Sequence, residues 1–122
     1  MDISNKKILA KFYQSTNGNE PVREWLLKLD EKNRKTIGKD VQKVELGWPI
    51  GMPYCRPLKD GLYEVRSNIS SQRIARIIFF IKTNEMILLH GFIKKSQKIP
   101  KPDLDLAIKR KKEVEKNDQH NP

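Results

Sequence analysis

The sequence predicts an α+β domain, and three features of the 122-residue chain support this prediction. Apolar residues recur with a helical period between residues 21 and 48. Segments with strand character follow between residues 56 and 95, separated by short turn sequences. A last segment, opened by Pro100 and Pro102, returns to helical spacing. Helices and strands that occur in separate runs favour an α+β over an alternating α/β architecture.

The first half is predicted to hold one strand and the first helix of a helical hairpin. Residues 7–13 have strand character, and a turn sequence follows at residues 15–19. Pro21 suits the first turn of a helix, with Asn19 or Glu20 as its cap. One apolar stripe marks this helix and consists of Val22, Trp25, Leu26 and Leu29.

The second helix of the hairpin is predicted to begin after Asp30, which is a suitable N-cap. Gly47 and Pro49 end it. Its apolar positions are Ile37, Val41, Val44 and, at its end, Trp48. We expect both helices to pack these apolar sides on one face of the sheet.

The second half is predicted to form an antiparallel meander. The expected strands are 56–59, 62–69, 73–82 and 86–95. Asp60-Gly61 is a hairpin turn signal between the first two strands. Residues 77–81 are all apolar, so the side chains on both faces of this strand are suited to burial. This pattern favours a central strand covered on both faces. We expect the face of the sheet away from the helical hairpin to be open, concave and basic.

The last predicted element is a helix that follows Pro100 and Pro102. Its inward positions are Leu104, Ala107 and Ile108. The polar sequence beyond about residue 115 is expected to fray. The chain is therefore predicted to form one domain, residues 1–116, with a flexible tail at residues 117–122.

The charge balance indicates a polyanionic partner. The chain has 25 Lys and Arg residues against 15 Asp and Glu, a formal net charge of +10 at pH 7. Cations placed on phosphates release condensed counterions, so nucleic acid or a nucleoprotein is the favoured partner class. The alternative is a basic surface that serves solubility alone.

Few functional classes fit the remaining composition. The single cysteine, Cys55, excludes an internal disulfide, and no ordinary structural zinc site is expected. The first residues lack the apolar core of a signal peptide, and the longest apolar run is too short to span a bilayer. We therefore expect a cytoplasmic protein without a membrane partner, a metal or another cofactor.

The basic residues of the predicted strands form the candidate site. Strand arginines have little freedom, and a guanidinium can bind phosphate through two hydrogen bonds. The strand arginines are Arg66, Arg73 and Arg76, and further lysines follow at Lys94, Lys95 and Lys98. Because side chains alternate along a strand, Glu64 and Arg66 share one face. His90, Phe92 and Lys94 likewise share a face, and Lys95 points the other way.

Several of these residues permit two interpretations. Phe92 either stacks on a nucleobase or packs in the core. His90 is either catalytic or a hydrogen-bonded, half-buried residue. Tyr54 and Tyr63 are each either a wedge against a nucleotide or packing residues. The run of basic residues at 109–112 is interpreted as a solvated helix end.

The combination of these motifs resembles a known family. The motifs are Leu58-Lys59-Asp60-Gly61-Leu62-Tyr63-Glu64-Val65-Arg66, Arg73-Ile74-Ala75-Arg76-Ile77, Leu88-Leu89-His90-Gly91-Phe92-Ile93-Lys94-Lys95, Lys98-Ile99-Pro100, and Ala107 with Arg110. Together they resemble the phage-related branch of HigB-like toxins, in the RelE superfamily of type II toxin–antitoxin systems. The resemblance covers nearly the whole chain and implies a RelE-like fold.

The resemblance also implies a function. A toxin of this kind enters the ribosomal A site and cuts mRNA there. A helix-turn-helix antitoxin silences it, and operator DNA is bound only through that antitoxin. The functional arginines and lysines of the family correspond to these positions of the present sequence: Arg66, Arg73 or Arg76, and Lys94, Lys95 and Lys98.

The chemistry expected of such residues is metal-independent RNA cleavage, in which the ribose 2′-hydroxyl attacks the adjacent phosphate. Arginines stabilise the developing charge. Arg66, Arg76, His90 and Lys94 are the predicted catalytic residues, and Arg73, Phe92, Lys95, Lys98 and Tyr63 are the predicted RNA-binding residues. His90, Glu64 or a lysine is the candidate base. Two alternatives stay open: a toxin of the same fold that acts on DNA gyrase, and a non-catalytic RNA- or ribosome-binding module.

Overall fold

The fold is that of the predicted α+β class, with three helices and five strands. A computed structural model describes residues 5–95 and 98–120. Its elements, in chain order, are β1 (Leu9–Phe12), α1 (Pro21–Leu27), α2 (Glu31–Gly47), β2 (Cys55–Pro57), β3 (Leu62–Ile69), β4 (Arg73–Lys82), β5 (Glu85–Ile93) and α3 (Lys101–His120). This arrangement is consistent with a RelE-like fold and confirms the predicted order of elements.

The strands form one sheet in the order β1-β5-β4-β3-β2. β2 to β5 make the predicted antiparallel meander. β1 instead lies parallel to β5, so the sheet is mixed and not wholly antiparallel as predicted. No hairpin turn connects β1 to its neighbour, and turn sequences therefore could not indicate its direction.

The helical hairpin covers one face of the sheet. Its apolar residues pack on a core that includes Val65, Ile77, Phe79 and Leu88. The Asp30 carboxylate caps α2 as predicted, because it accepts a hydrogen bond of 2.8 Å from the amide of Asn33. α1 begins at Pro21 as predicted, but the Glu20 side chain makes no capping hydrogen bond.

The opposite face is largely covered by α3, which corrects the prediction of an open, basic face. Ala107 on α3 is fully buried in a second core that includes Leu62, Ile78, Phe80 and Leu89. An amphipathic helix that follows the sheet must bury its apolar side, and this face is the one left by the hairpin.

α3 is also longer than the sequence indicated. Residues 117–120, predicted as part of a flexible tail, belong to the helix, and residues 121 and 122 lie outside the described part of the chain. Lys82 and Asp118 form an ion pair of 2.9 Å that holds this end on the sheet. Further along, Arg110 donates a 2.7 Å hydrogen bond to the carbonyl of Leu89. In the described residues, no helix combines the length and the apolar content needed to cross a membrane.

Candidate functional site

Two neighbouring rows of side chains on the α3 face of the sheet carry most of the predicted site residues. In the sheet register, Arg66 on β3 lies opposite Arg76 on β4, which in turn lies opposite Phe92 on β5. The neighbouring row joins Glu64 to His90 across Ile78. Because β3 and β5 are two strands apart, these rows span about 10 Å. The sheet therefore brings Arg66, Arg76, His90 and Phe92 to one region of the same face.

A buried carboxylate organises the arginines. Glu64 has no exposed surface, and its Oε2 lies 3.3 Å from Nη2 of Arg56. Its Oε1 lies 3.5 Å from Nε of Arg66. The Arg56 and Arg66 side chains are 32% and 19% exposed, so both can meet a ligand. We call Arg56, Arg66 and Arg76 with Glu64 the arginine cluster.

Arg76 lies beneath the other members of the cluster. Its side chain is fully buried. Burial lowers the pKa of the Arg76 guanidinium, the negative charge of Glu64 opposes this, and repulsion from Arg66 and Arg56 lowers it further. The Arg76 guanidinium therefore places positive charge beneath its neighbours and does not itself reach the surface. The cluster carries more positive than negative charge in a partly dehydrated place, which suits an anion.

His90 has a defined partner at the start of α3. Its Nε2 lies 2.6 Å from Oδ1 of Asp103, and both side chains are about four-fifths buried. An ionised carboxylate only accepts hydrogen bonds, so in this contact Nε2 of His90 is the donor and the Asp103 carboxylate orients the ring. Phe92 stacks on the imidazole with ring centroids 5.4 Å apart. Since Phe92 is itself buried in the second core, it supports His90 and lies too deep to stack on a base in this conformation.

Gly91, which lies between His90 and Phe92 in β5, lets α1 approach the sheet. Gly91 lies on the face opposite His90 and Phe92, against the ring of Trp25. A Cβ atom at this position would lie 2.4 Å from Cε3 of Trp25. Only glycine permits so close a contact. This packing fixes the part of β5 that carries the histidine.

The predicted lysines border the site at different places. The amide of Lys94 donates to the carbonyl of Ile74 at 3.2 Å, which continues the ladder one residue past β5. The Lys94, Lys95 and Lys98 side chains are all exposed. Lys98 lines an open hollow of about 470 Å³, together with Arg56, Leu58, Lys59, Ile99 and Leu104. Arg56 of the arginine cluster and Leu104 at the start of α3 thus line one basic hollow.

Two predicted residues are not brought to this region. Arg73 donates hydrogen bonds to the carbonyl and hydroxyl of Ser70, in the turn before β4. Its strand parity is opposite to that of Arg76, so its side chain lies on the other face of the sheet. Tyr63 packs against Trp48 and Phe79, with ring centroids 4.9 and 5.5 Å away, in the core under α2.

Two residues of the site were missed in the sequence. Arg56 lies opposite Glu64 in the β2–β3 ladder, and the Asp60-Gly61 turn signal was the available indication of this pairing. Both turn residues have positive φ, 58° and 75°. Asp103, in the first turn of α3, was not singled out as a site residue in the sequence. Within the described ranges, no group of three or more His, Cys, Asp or Glu side chains could hold a metal ion.

The fold and this site define a class of small α+β proteins that carry a cluster of arginines on a mixed sheet. The chain belongs to the family described as "Phage derived protein Gp49-like (DUF891)", whose model matches residues 24–112, nearly three quarters of the chain. This is a RelE-like, toxin-like family associated with type II toxin–antitoxin systems, in which a toxin has an antitoxin partner. No curated protein matches the chain.

Proposed function

We propose that this protein is a toxin that cleaves mRNA in the ribosomal A site without a metal ion. The observation that carries the proposal is the arginine cluster beside the His90–Asp103 pair. Arg56 and Arg66 present two partly exposed guanidinium groups, held by one buried carboxylate. A scissile phosphodiester placed on them would meet fixed donors in a partly dehydrated surface, where such donors stabilise a phosphorane most strongly.

The proposed roles follow from exposure and partners. Arg66 binds and stabilises the attacked phosphate, with Arg56 as a second donor. Arg76 raises the positive potential from below as a positioning residue. As the 2′-hydroxyl oxygen bonds to phosphorus, His90 accepts its proton, and Asp103 orients the His90 ring. The P–O5′ bond breaks, which leaves a 2′,3′-cyclic phosphate, and the leaving 5′ oxygen takes a proton from water. Lys94, Lys95 and Lys98 bind neighbouring phosphates from the rim. In the cell, a helix-turn-helix antitoxin covers this basic surface and carries the complex to operator DNA.

The test is cleavage mapping in a translation reaction reconstituted with purified ribosomes. We expect wild-type protein to produce new mRNA 5′ ends in phase with codons, and only when ribosomes are present. Arg66→Ala is expected to reduce the cleavage rate about 100-fold or more, as for the loss of one well-placed donor. Arg73→Ala is the matched comparison, since it removes a strand arginine from the other face.

The outcomes separate the three functional alternatives. Intact message with stalled translation would replace the proposal with a non-catalytic ribosome binder. Intact message with blocked DNA supercoiling would indicate a toxin that acts on gyrase. Equal losses in Arg66→Ala and Arg73→Ala would show that the arginine cluster is not the catalytic surface, even if cleavage occurs.

A further inference from the structure

A second hollow adjoins the arginine cluster on the α2 side of the sheet. It has a volume of about 310 Å³ and is lined by Thr36, Asp40, Lys43, Pro53, Tyr54, Arg66 and Asn68. Arg66 belongs both to this lining and to the cluster around Glu64. A ligand group in this hollow would therefore be a direct neighbour of an anion on Arg66.

The end of β2 creates this hollow. The last pair of the β2–β3 ladder is Cys55 with Val65, so β3 has no β2 partner from Arg66 onward. The chain before Cys55 forms a tight turn, in which the amide of Tyr54 donates to the carbonyl of Gly51 at 3.1 Å. This turn places Tyr54 beside the edge of β3, where one further pair of the ladder would join it to Arg66.

Tyr54 is the prominent side chain of the hollow. It is 41% exposed, whereas Tyr63 and Tyr13 pack in the two cores. The ammonium of Lys43 lies 5.5 Å from the centroid of the Tyr54 ring, and Lys43 also pairs with Asp40 at 3.4 Å. The Lys43 ammonium thus lies over one face of the Tyr54 ring, and this ring is not part of either core. Exposed aromatic rings next to phosphate-binding cations are the usual platform for an unpaired base.

The polar side chains that line the rest of the hollow can form hydrogen bonds with the edge of a base. Asn68 offers an amide with both a donor and an acceptor, Asp40 offers acceptor oxygens, and Thr36 offers a hydroxyl. Asparagine and aspartate side chains match the donor and acceptor patterns of base edges. A simple counterion site would not need an aromatic floor with polar groups of both kinds.

We propose that this hollow binds the nucleobase next to the scissile phosphate of a single-stranded RNA, with the base stacked on Tyr54. This inference rests on the proposed function, because it takes Arg66 as the position of that phosphate. The RNA would then run from the hollow of Arg56 and Lys98, across the arginine cluster, to the hollow of Tyr54. The identity of the base at one side of the cut would depend on Tyr54, Asn68 and Asp40.

The first experiment measures binding without ribosomes. A short fluorescent single-stranded RNA is titrated at low salt with wild type, Tyr54→Ala and Tyr54→Phe. Loss of the ring in Tyr54→Ala is expected to weaken binding about 5- to 100-fold, the range for one stacked base. Tyr54→Phe keeps the ring and is expected to restore binding to near the wild-type level.

A series of the same RNA with a single abasic position identifies the base involved. At one position, loss of the base should weaken wild-type binding by about the same factor as Tyr54→Ala. The same abasic RNA should then bind wild type and Tyr54→Ala equally, because the stacking partner is absent in both cases. Additive losses at every position would overturn the subsite.

The second experiment maps 5′ ends in the translation reaction and separates this inference from the proposed function. If wild type cleaves and Tyr54→Ala cleaves the same positions with the same preferences, the subsite is wrong and the toxin mechanism stands. If wild type binds RNA through Tyr54 without cleaving it, the subsite is right and the nuclease assignment is wrong. Unchanged RNA binding with weakened antitoxin binding in Tyr54→Ala would overturn the subsite and indicate a protein contact.

Discussion

Nε2 of His90 lies 2.6 Å from Oδ1 of Asp103, and this contact joins β5 to the first turn of α3. The two residues are close only because α3 returns across the sheet after the β5 strand. The pair lies next to the hollow that Arg56 and Leu104 line. Asp103 directly precedes Leu104, so the start of α3 connects the proposed proton-transfer residue His90 with the hollow that Arg56 lines.

The first prediction concerns this pair. His90→Ala is expected to reduce the single-turnover cleavage rate about 100-fold or more, the usual contribution of a general acid or base. Asp103→Asn should give a smaller loss, about 10-fold or more, because an amide no longer fixes the tautomer of His90. RNA affinity should change little in both variants, since the phosphate is held by arginines. Quench-flow cleavage and fluorescence titration measure the two quantities. Loss of affinity without loss of rate would assign the pair to binding and not to catalysis.

The second prediction concerns Glu64. Glu64→Gln leaves the buried guanidinium of Arg76 and its neighbours without the carboxylate that organises them. We expect the free energy of unfolding to fall by about 3 kcal/mol, as when one partner of a buried ion pair is removed. Glu31→Gln is the matched control, because Glu31 pairs with Lys35 at an exposed position and should change stability by less than about 1 kcal/mol.

Urea unfolding with and without sulfate checks this result. Sulfate should stabilise wild type by binding at the arginine cluster, and it should recover part of the loss in Glu64→Gln. Sulfate should stabilise Arg66→Ala less than wild type. Equal sulfate effects in all three proteins would show that the cluster does not hold anions.

The third prediction concerns the packing behind the site. Gly91→Ala places a methyl group against Trp25 and should destabilise the protein by about 1–3 kcal/mol, the usual cost of overpacking. Gly38→Ala is the control, because no atom lies within 4 Å of a Cβ at that helical position. It should stabilise the protein by about 0.5–1 kcal/mol. Both values come from urea unfolding. A double variant with Trp25→Leu should recover much of the Gly91→Ala loss, and the absence of recovery would count against the contact.

The sequence predicted local structure well because turn signals and apolar periods are local. The bounds of β3 and β4 agree with the predicted strands 62–69 and 73–82. The Asp60-Gly61 turn has the positive φ values that its residues favour. The parallel position of β1 and the cover provided by α3 were not predictable in this way, because both depend on contacts between distant parts of the chain.

In the candidate site, too, local patterns were predictable from the sequence, whereas contacts between distant parts of the chain were not. Alternation placed Arg66 with Glu64 and His90 with Phe92 on common strand faces, and the sheet confirms that they share a face. Residue type alone could not show that Arg76 is buried, that Tyr63 packs under α2, or that Asp103 returns to His90. These facts depend on which face each helix covers.

The last prediction concerns Tyr13, which α3 covers at the other end of the sheet. Its hydroxyl donates to the Glu113 carboxylate, and the Arg110 guanidinium lies 5.2 Å from its ring centroid. Burial, the hydrogen bond to Glu113 and the charge of Glu113 raise the pKa of Tyr13 from 10.0 to about 12, against the opposing charge of Arg110. Because the folded state holds this proton more tightly, the contribution of Tyr13 to stability is complete below about pH 10 and is lost as the pH rises toward 12.

The measurement compares wild type with Tyr13→Phe. Phenolate absorbance of the folded wild type should show one of its three tyrosines titrating near pH 12, and Tyr13→Phe should lack that step. Between about pH 9 and about pH 11, wild type should lose about 1 kcal/mol more unfolding free energy than Tyr13→Phe, because only wild type has the phenol that ionises first in the unfolded chain. Other groups that titrate in this range affect both proteins equally. Parallel losses in the two proteins would mean that α3 does not hold Tyr13 in its neutral form.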